Sequence, residues 1–265
     1  MQKIDSYQTI KATIDKNLAT IVMNRPEVHN AFNETMIREL LDLFTQLAQD
    51  EQTRVIVLTG EGKSFCAGAD LMWMKEVVHY SYEQNLEESL RLAALFYLMY
   101  TIPKPTIARV NGAAIGGGAG LASVCDFVIA GDRAKFSLSE VKLGLVPAVI
   151  SPYVVKRVGE RVCRELFLSG RRIDAQQALS LGIANRAVAQ GELDSAVNEL
   201  TQQLLSSGPQ ALAMCKDLLH KVSDAKLEDV QQYTAETIAS LRISEEGQEG
   251  MAAFFEKRKP NWATE

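Results

Sequence analysis

Four glycines crowd into positions 116–120 of the segment VNGAAIGGGAGLASVCD at residues 110–126. The apolar run Pro105–Val110 predicts a strand before them, and the small apolar residues predict a helix from about Gly117 to Cys125. Glycine costs backbone entropy, so a cluster of this kind indicates a turn that approaches another group closely. A strand that breaks into glycines and then begins a helix presents unpaired N–H groups at the positive end of the helix dipole. The segment therefore predicts a strand–turn–helix unit that faces either a phosphate or an oxyanion formed during a reaction.

Other interpretations of this segment require further residues. A P-loop ends in Gly-Lys-Ser/Thr, which the glycine segment does not contain. A dinucleotide-binding fingerprint is approached by GAGLAS at 118–123, with Glu140 twenty residues after Gly120, but serine stands at the third small position. Glycines that only let a helix pack closely on a sheet are a further possibility. A second turn of this kind, SFCAGADL at 64–71, follows the strand pattern at 54–59. Its presence weakens the packing-only interpretation, because two such turns can aim two N–H groups at one carbonyl oxygen.

The composition excludes several classes of function. The net charge of −5 argues against general nucleic-acid binding. No apolar run approaches the ~20 residues that a membrane helix needs. The four cysteines lie far apart and only three histidines are present, so neither a disulfide framework nor a histidine-built metal site is expected. The sequence predicts a reduced, cytoplasmic protein with no metal, no redox cofactor, no nucleic-acid partner and no membrane partner.

Strand and helix patterns alternate in the first part of the chain. Strands are expected at 18–23, 54–59, 105–110 and 126–130, with helices from Asn33, from about Asp70 through about Tyr100, and at about 117–125. This rhythm predicts an α/β architecture. From about Asp174 the pattern becomes wholly helical, with helices expected at about 193–205, 209–222, 227–242 and 246–257. The predicted division is an α/β body over residues 1–200 and a helical region over residues 201–265.

Several motifs in a fixed order cover essentially the whole chain. They are NRP at 24–26, FCAGADL at 65–71, VNG and GGG within 110–118, CD at 125–126, SEVKLGLVP at 139–147, ALSLG at 178–182 and FEKRKP at 255–260. Together they resemble the crotonase (enoyl-CoA hydratase/isomerase) superfamily. The resemblance implies a spiral of ββα units, followed by helices that assemble a trimer or a dimer of trimers. It also implies an acyl-CoA substrate, with CoA entering only as part of that substrate and no separate cofactor.

The resemblance extends to site residues, which are carried over one by one. The backbone N–H groups of Ala69 and Gly117 match the two oxyanion-hole donors that hold the thioester oxygen. Glu140, in the SEV motif, matches a family acid/base. The remaining expected contacts with substrate or CoA are Arg25, Ala67, Gly68, Asp70, Leu71, Met72, Gly116, Gly120 and, from a neighbouring subunit, Lys257.

One position departs from the family pattern. Hydratases of this family that use two carboxylates have a glutamate where this chain has Gly120, so one acid/base is absent and Glu140 remains. A positioned acid/base contributes ~10²–10⁴ in rate, so hydration is expected with Glu140 as both base and acid, helped by a bound water or by the substrate's own carboxylate. The space left at Gly120 is expected to admit a branched or dicarboxylic acyl group.

Three functions stay open at this point. GADLMWM at 68–74, the segment 139–152 and EGQEG at 246–250 resemble the subgroup that hydrates 3-methylglutaconyl-CoA to 3-hydroxy-3-methylglutaryl-CoA in leucine and isovalerate breakdown. Isomerisation or decarboxylation of a glutaconyl-type thioester needs only the same oxyanion hole and one acid/base. A non-catalytic acyl-CoA-binding relative is the third possibility, and turnover separates it from the first two.

Overall fold

The computed structural model describes residues 2–4 and 7–263. Within these ranges the chain forms eleven β-strands, ten α-helices and three short 3-10 helices. The strands are β1 (Gln2–Ile4), β2 (Ile10–Asp15), β3 (Leu18–Met23), β4 (Val55–Gly60), β5 (Ser64–Cys66), β6 (Thr106–Val110), β7 (Ala113–Ile115), β8 (Phe127–Gly131), β9 (Lys135–Ser137), β10 (Ile173–Asp174) and β11 (Arg186–Val188). The α-helices are α1 (Glu34–Gln49), α2 (Leu71–Val77), α3 (Tyr82–Thr101), α4 (Gly117–Val124), α5 (Ser151–Ser169), α6 (Ala175–Ser180), α7 (Leu193–Leu205), α8 (Pro209–Val222), α9 (Leu227–Ile243) and α10 (Glu245–Glu256). The 3-10 helices are Pro26–Val28, Glu140–Leu143 and Gln190–Glu192.

Two sheets organise the described residues. The large sheet has seven strands in the order β1-β2-β3-β4-β6-β8-β11, and the small sheet has four in the order β10-β9-β7-β5. The pairs β1–β2 and β2–β3 are antiparallel, and the large sheet is parallel from β3 to β11. In the small sheet β5, β7 and β9 run parallel, and β10 joins β9 antiparallel.

A repeated ββα unit relates the two sheets. In each repeat the first strand joins the large sheet, the second joins the small sheet, and a helix follows. The repeats are β4–β5 with α2 and α3, β6–β7 with α4, and β8–β9 with α5. The predicted α/β spiral of ββα units followed by helices is confirmed.

The elements with strong local signals lie where the sequence predicts them. The predicted strand at 18–23 is β3, and the patterns at 54–59 and 126–130 correspond to β4 and β8. Asn33 caps α1 by accepting a hydrogen bond from Met36 N at 3.0 Å. The predicted helices at 193–205 and 209–222 are α7 and α8, and the last two helices begin and end within one residue of the expected positions.

Other elements correct the predictions. The helical stretch expected from Asp70 to about Tyr100 is two helices, because Ser81 and Gln84 form a capping box that starts α3 separately. The three-residue strands β5, β7 and β9 and the long helix α5 were not predicted. The region expected to be wholly helical after Asp174 contains β11, which pairs in parallel with β8.

The core lies on both faces of the large sheet. All six residues of β4 are buried, and successive side chains point to opposite faces. Ile56 and Leu58 pack with α1 in the main core, whereas Val55 and Val57 pack with α7 on the other face. The predicted boundary near residue 200 falls inside α7, and the division into two regions stays a prediction. None of the helices in the described part of the chain is long and apolar enough to span a membrane.

Candidate active site

Three turns meet at one edge of the small sheet. They follow the carboxyl ends of the adjacent parallel strands β5, β7 and β9, and they contain residues 67–70, Gly116 with Gly117, and Glu140. Parallel strands bring their carboxyl ends to the same edge, where α/β folds bind ligands. The spiral therefore brings Ala69, Gly117 and Glu140 to one place, as the sequence predicts.

The N–H group of Ala69 points away from its neighbouring segment. Phe32 forms a parallel bridge with Ala69, in which Phe32 N donates to Gly68 O at 2.8 Å and Asp70 N donates to Phe32 O at 2.9 Å. Backbone groups alternate in direction along an extended segment. The Ala69 N–H therefore faces the side opposite Phe32 and is free to act as an oxyanion donor.

The first turn lies directly beside the second. Gly68 has φ +91°, a conformation that L-residues rarely adopt. A methyl group placed on Gly68 would lie 2.8 Å from the Ile115 carbonyl oxygen and 3.9 Å from Gly117 N. The backbone of residues 68 and 69 is therefore close enough to the start of α4 for both turns to address one oxygen atom.

The second turn begins α4 and is tied to the strand that precedes Glu140. Gly116 N donates to the Ser137 carbonyl oxygen at 2.7 Å. Gly117 occupies the first helical position, whose N–H has no partner inside the helix. A methyl group at Gly117 would lie 2.3 Å from Phe32 Cζ, so only glycine lets the Phe32 ring pack against this turn. Sequence reasoning missed Phe32, since its position beside Gly117 is a contact between distant segments.

Glu140 brings a carboxyl group against the second turn. It starts the 3-10 helix Glu140–Leu143, and its Oε1 would lie 3.1 Å from a methyl group on Gly116. Its Oε2 is buried and has no hydrogen-bond partner among the described residues. Burial raises the pKa of Glu140 above the usual value of 4.5. A carboxyl whose pKa is raised by burial and whose buried oxygen lacks a partner is suited to take and give a proton during a reaction.

The position of Gly120 contradicts one expectation. A methyl group on Gly120 would lie 2.3 Å from Ile150 Cγ2 and 2.9 Å from Ile150 Cβ. The side chain of Ile150, which is 3% exposed, therefore fills the space that was expected to admit a branched or dicarboxylic acyl group. The second carboxylate of the two-carboxylate pattern is replaced by an apolar contact between α4 and the start of α5.

Comparison with known proteins shows the family to which this sequence and fold belong. The family model described as enoyl-CoA hydratase/isomerase matches residues 13–265. An enoyl-CoA hydratase from Shewanella pealeana is similar in crystal structure, with 43% identity, 97% of each chain covered and a TM-score of 0.94. The chain belongs to the enoyl-CoA hydratase/isomerase family.

Two further relatives agree with this membership. A Legionella pneumophila protein assigned to the enoyl CoA hydratase/isomerases (crotonase) is 44% identical, with a TM-score of 0.92, over 97% of this chain and 100% of that one. A Thermus thermophilus protein assigned as an enoyl-CoA hydratase is 39% identical over 246 residues, which are 93% of this chain and 97% of that relative. The membership supports acyl-CoA as the substrate class.

Two residues expected to contact CoA are paired with each other. An Arg25 nitrogen donates to Asp70 Oδ2 at 2.6 Å, and another donates to the Ala31 carbonyl oxygen at 2.7 Å. Asp70 Oδ1 accepts from Met72 N at 2.7 Å and so caps α2. Burial would raise the pKa of Asp70, but the hydrogen bonds from Arg25 and Met72 N outweigh it and hold the pKa below its usual range. The pair fixes the turn that carries Ala69, and the CoA contacts stay predictions.

The remaining expected contacts lie at the surface or in another part of the chain. Ala67 N donates to the His29 carbonyl oxygen at 3.1 Å, which anchors the start of the first turn. Leu71 and Met72 are 75% and 65% exposed at the start of α2, beside Ala69, and can meet a ligand there. Lys257 caps the end of α10, and no hydrogen bond or ion pair among the described residues joins it to the glycine turns. Its contact with a neighbouring subunit's substrate stays a prediction.

Replacing Arg25 with alanine is expected to destabilise the fold more than it weakens substrate binding. Asp70 is 6% exposed in its side chain, and stranding a buried charge costs about 3–5 kcal/mol. Because the folded pKa of Asp70 is lowered, this stabilisation is present above its usual pKa of 3.8 and is lost as pH falls through the folded value. Urea unfolding of wild type and Arg25→Ala at neutral and acidic pH measures both effects, with Asp70→Asn as the partner variant. If Arg25→Ala is as stable as wild type but has a raised KM for the acyl-CoA, Arg25 contacts CoA and does not mainly stabilise the fold.

Proposed function

We propose that the protein hydrates an α,β-unsaturated acyl-CoA by means of a backbone oxyanion hole and a single glutamate. The observation that carries the proposal is the buried carboxyl of Glu140, whose Oε2 lacks a partner and whose Oε1 lies against Gly116. The N–H groups of Ala69 and Gly117 supply the donors. Family membership supports acyl-CoA as the ligand of this site.

The reaction uses these groups in two proton transfers. Ionised Glu140 takes a proton from a water molecule while the oxygen of that water bonds to Cβ. The electron pair of the double bond moves into the thioester carbonyl. The developing enolate oxygen is held by the N–H groups of Ala69 and Gly117, where each donor contributes ~10²–10³ in rate. Glu140 then gives the same proton to Cα and returns to its ionised form. One carboxyl is sufficient, because it receives and returns one proton.

The raised pKa of Glu140 favours the first of these transfers. A carboxylate with an ordinary, lower pKa would be a weaker base toward the water molecule. Burial raises the pKa of Glu140 and so strengthens it as a base, and the protonated carboxyl then gives the proton to the strongly basic enolate carbon. Arg25 does not reverse this shift, because its guanidinium is engaged by Asp70 and by the Ala31 carbonyl oxygen.

The proposed acyl group is 3-methylglutaconyl, with 3-hydroxy-3-methylglutaryl-CoA as the product. Support comes from the segments 68–74, 139–152 and 246–250, which resemble the subgroup with that activity. An empty space at Gly120 no longer supports it, because Ile150 fills that space.

A second candidate is isomerisation or decarboxylation of a glutaconyl-type thioester. Both reactions need an enolate-stabilising oxyanion hole and no second carboxylate to activate water. The apolar Ile150 side chain over Gly120 favours this candidate, since it removes the second carboxylate of the common hydratase pattern. A non-catalytic acyl-CoA-binding protein would need neither Glu140 nor its raised pKa.

Mass-resolved turnover of 3-methylglutaconyl-CoA beside crotonyl-CoA tests these functions. We expect a product heavier than the substrate by one water, with a higher kcat/KM for the branched thioester. Loss of carbon dioxide or an unchanged mass with a moved double bond would replace hydration by the second candidate. Tight binding of both thioesters without turnover would replace it by a binding function.

The proposal includes a cytoplasmic homotrimer, or a dimer of trimers. Exposed apolar side chains on α9 and α10 support an assembly, because Ile243, Phe254 and Phe255 are 82%, 79% and 77% exposed in one chain. The four cysteines are free thiols, as a reducing compartment would keep them. Sedimentation of the preparation used for turnover measures the assembly, and a stable monomer would contradict it.

A further inference from the structure

Two side chains from later segments, one acidic and one apolar, lie against the start of α4. Gly116 N-caps α4, and Gly120 lies one helical turn further along the same face, with Gly120 N donating to Gly116 O at 3.1 Å. Glu140 lies against Gly116, and Ile150 lies against Gly120. Four residues of helix rise about 6 Å, so the backbone positions that Glu140 and Ile150 contact lie about that far apart along α4.

The side chain of Ile150 is held firmly in this place. Its carbonyl oxygen accepts hydrogen bonds from Tyr153 N and Val154 N, both at 3.2 Å, which fix it at the start of α5. A β-branched side chain has restricted rotation about its first bond. Its methyl group meets the backbone of Gly120 without an intervening side chain. Ile150 is therefore a rigid wall and not a movable flap.

The direction of the acyl chain follows from the placement of the reacting groups. The thioester oxygen must lie at Ala69 N and Gly117 N, and the Cα and Cβ atoms must lie within proton-transfer distance of Glu140. Carbons beyond Cβ that extend along α4 away from its first turn reach the position over Gly120. That path leads from Gly116 toward Gly120, where Ile150 stands.

We propose, on the basis of the proposed function, that Ile150 forms the end wall of the acyl site and limits the protein to short acyl chains. A chain with several carbons beyond Cβ meets the Ile150 side chain over Gly120. A shorter side chain at position 150 opens space there, since Ile→Ala removes roughly the volume of three methylene-sized groups. Ile150 is thus a specificity-determining residue that touches the substrate without taking part in proton transfer.

Acyl-chain preference measures this role directly. The experiment compares kcat/KM for trans-2-octenoyl-CoA and crotonyl-CoA in wild type, Ile150→Val and Ile150→Ala. The octenoyl-to-crotonyl ratio is expected to rise by about tenfold or more in Ile150→Ala and by less in Ile150→Val, because each methylene in an apolar pocket is worth ~10–200-fold. An unchanged ratio in Ile150→Ala would overturn the proposal.

Ile129→Ala is the matched control. Ile129 is fully buried in β8, but it packs with α7 on the other face of the large sheet. Its replacement also leaves a cavity and lowers stability, yet it is expected to leave the octenoyl-to-crotonyl ratio unchanged. An equal rise of the ratio in Ile129→Ala would show that general loosening of the core is responsible, which would overturn the assignment to Ile150.

Binding of saturated thioesters separates this proposal from the proposed function. Calorimetry with butyryl-CoA and octanoyl-CoA needs no turnover, and Ile150→Ala is expected to tighten octanoyl-CoA by about tenfold relative to butyryl-CoA. If wild type turns over no thioester, the hydratase function is wrong, and the ratio of octanoyl-CoA to butyryl-CoA affinity still tests the role of Ile150. Turnover with no change in the binding ratio would defeat the role of Ile150 and leave the hydratase function standing.

Discussion

Glu140→Gln is expected to lower kcat/KM for hydration by about 10²–10⁴-fold while the protein stays folded. Glutamine keeps the size of the side chain but can neither take a proton from water nor return one to Cα. The neighbouring position over Gly120, where the two-carboxylate pattern has its other glutamate, is occupied by the Ile150 side chain. The residual rate should come from the backbone donors and from binding, which the substitution leaves in place.

The pH dependence gives the same prediction a second measurement. Water activation requires ionised Glu140, so wild-type kcat/KM should fall as pH drops through a pKa above 4.5, the usual value for glutamate. Because the folded pKa is raised, the unfolded chain releases this proton more readily, and ionisation above 4.5 lowers the stability of the fold. Glutamine does not ionise, so Glu140→Gln should unfold at the same temperature as wild type, or at a higher one, at neutral pH.

Two companion variants control for other causes. Glu140→Asp keeps the charge but withdraws the carboxyl by one methylene, and it should retain part of the activity. Glu192→Gln removes an exposed carboxylate at the end of a 3-10 helix and should leave kcat/KM unchanged. Full hydration activity in folded Glu140→Gln would show that Glu140 is not the acid/base. The substrate's own carboxylate would then be the candidate for that role.

Local signals were sufficient to predict much of the fold. Asn33 and Asp174 each precede an apolar helical pattern, and their side chains cap α1 and α6. The strand β3 was predicted from its short apolar run bounded by turn residues. In each case the residues that define the element lie within it or next to it, so a single sequence contains the information.

The strands that position the site could not be predicted in this way. The strands β5, β7 and β9 each have three residues, which are too few to display a period of two. Their extended form depends on parallel partners that lie far away along the chain. The turns they carry were nevertheless predicted, because glycine clusters after a strand and before a helix are visible locally.

Contacts between distant segments account for the remaining differences. Gly120 was recognised as the missing glutamate, but the side chain that fills its place comes from Ile150, thirty residues later. The fit of Phe32 against Gly117 and the ion pair between Arg25 and Asp70 are of the same kind. Each depends on the packing of separate turns, for which one sequence provides no periodic or capping signal.

Gly68→Ala is expected to lower kcat by about 10²–10³-fold, the effect of losing one oxyanion donor. Gly68 has φ +91°, and a methyl group there would lie 2.8 Å from the Ile115 carbonyl oxygen. That oxygen belongs to the backbone of β7, so the two turns must move apart. The displacement would separate the Ala69 N–H from the Gly117 N–H. Binding of saturated acyl-CoA should change much less, since the donors bind the enolate more strongly than the ground-state carbonyl.

Gly159→Ala is a control that separates the free-energy cost of an unfavourable φ from the effect of moving the two turns apart. Gly159 also has a positive φ, +75°, where it interrupts α5, but a methyl group there would meet no atom within 4 Å. Both variants should lose about 1–3 kcal/mol of unfolding free energy for the unfavourable backbone conformation, and Gly68→Ala should lose more because of its contact. Only Gly68→Ala should lose kcat, as measured by urea unfolding and turnover on the same preparations. Equal losses of kcat in the two variants, or none in Gly68→Ala, would mean that the spacing of the two turns does not control the reaction.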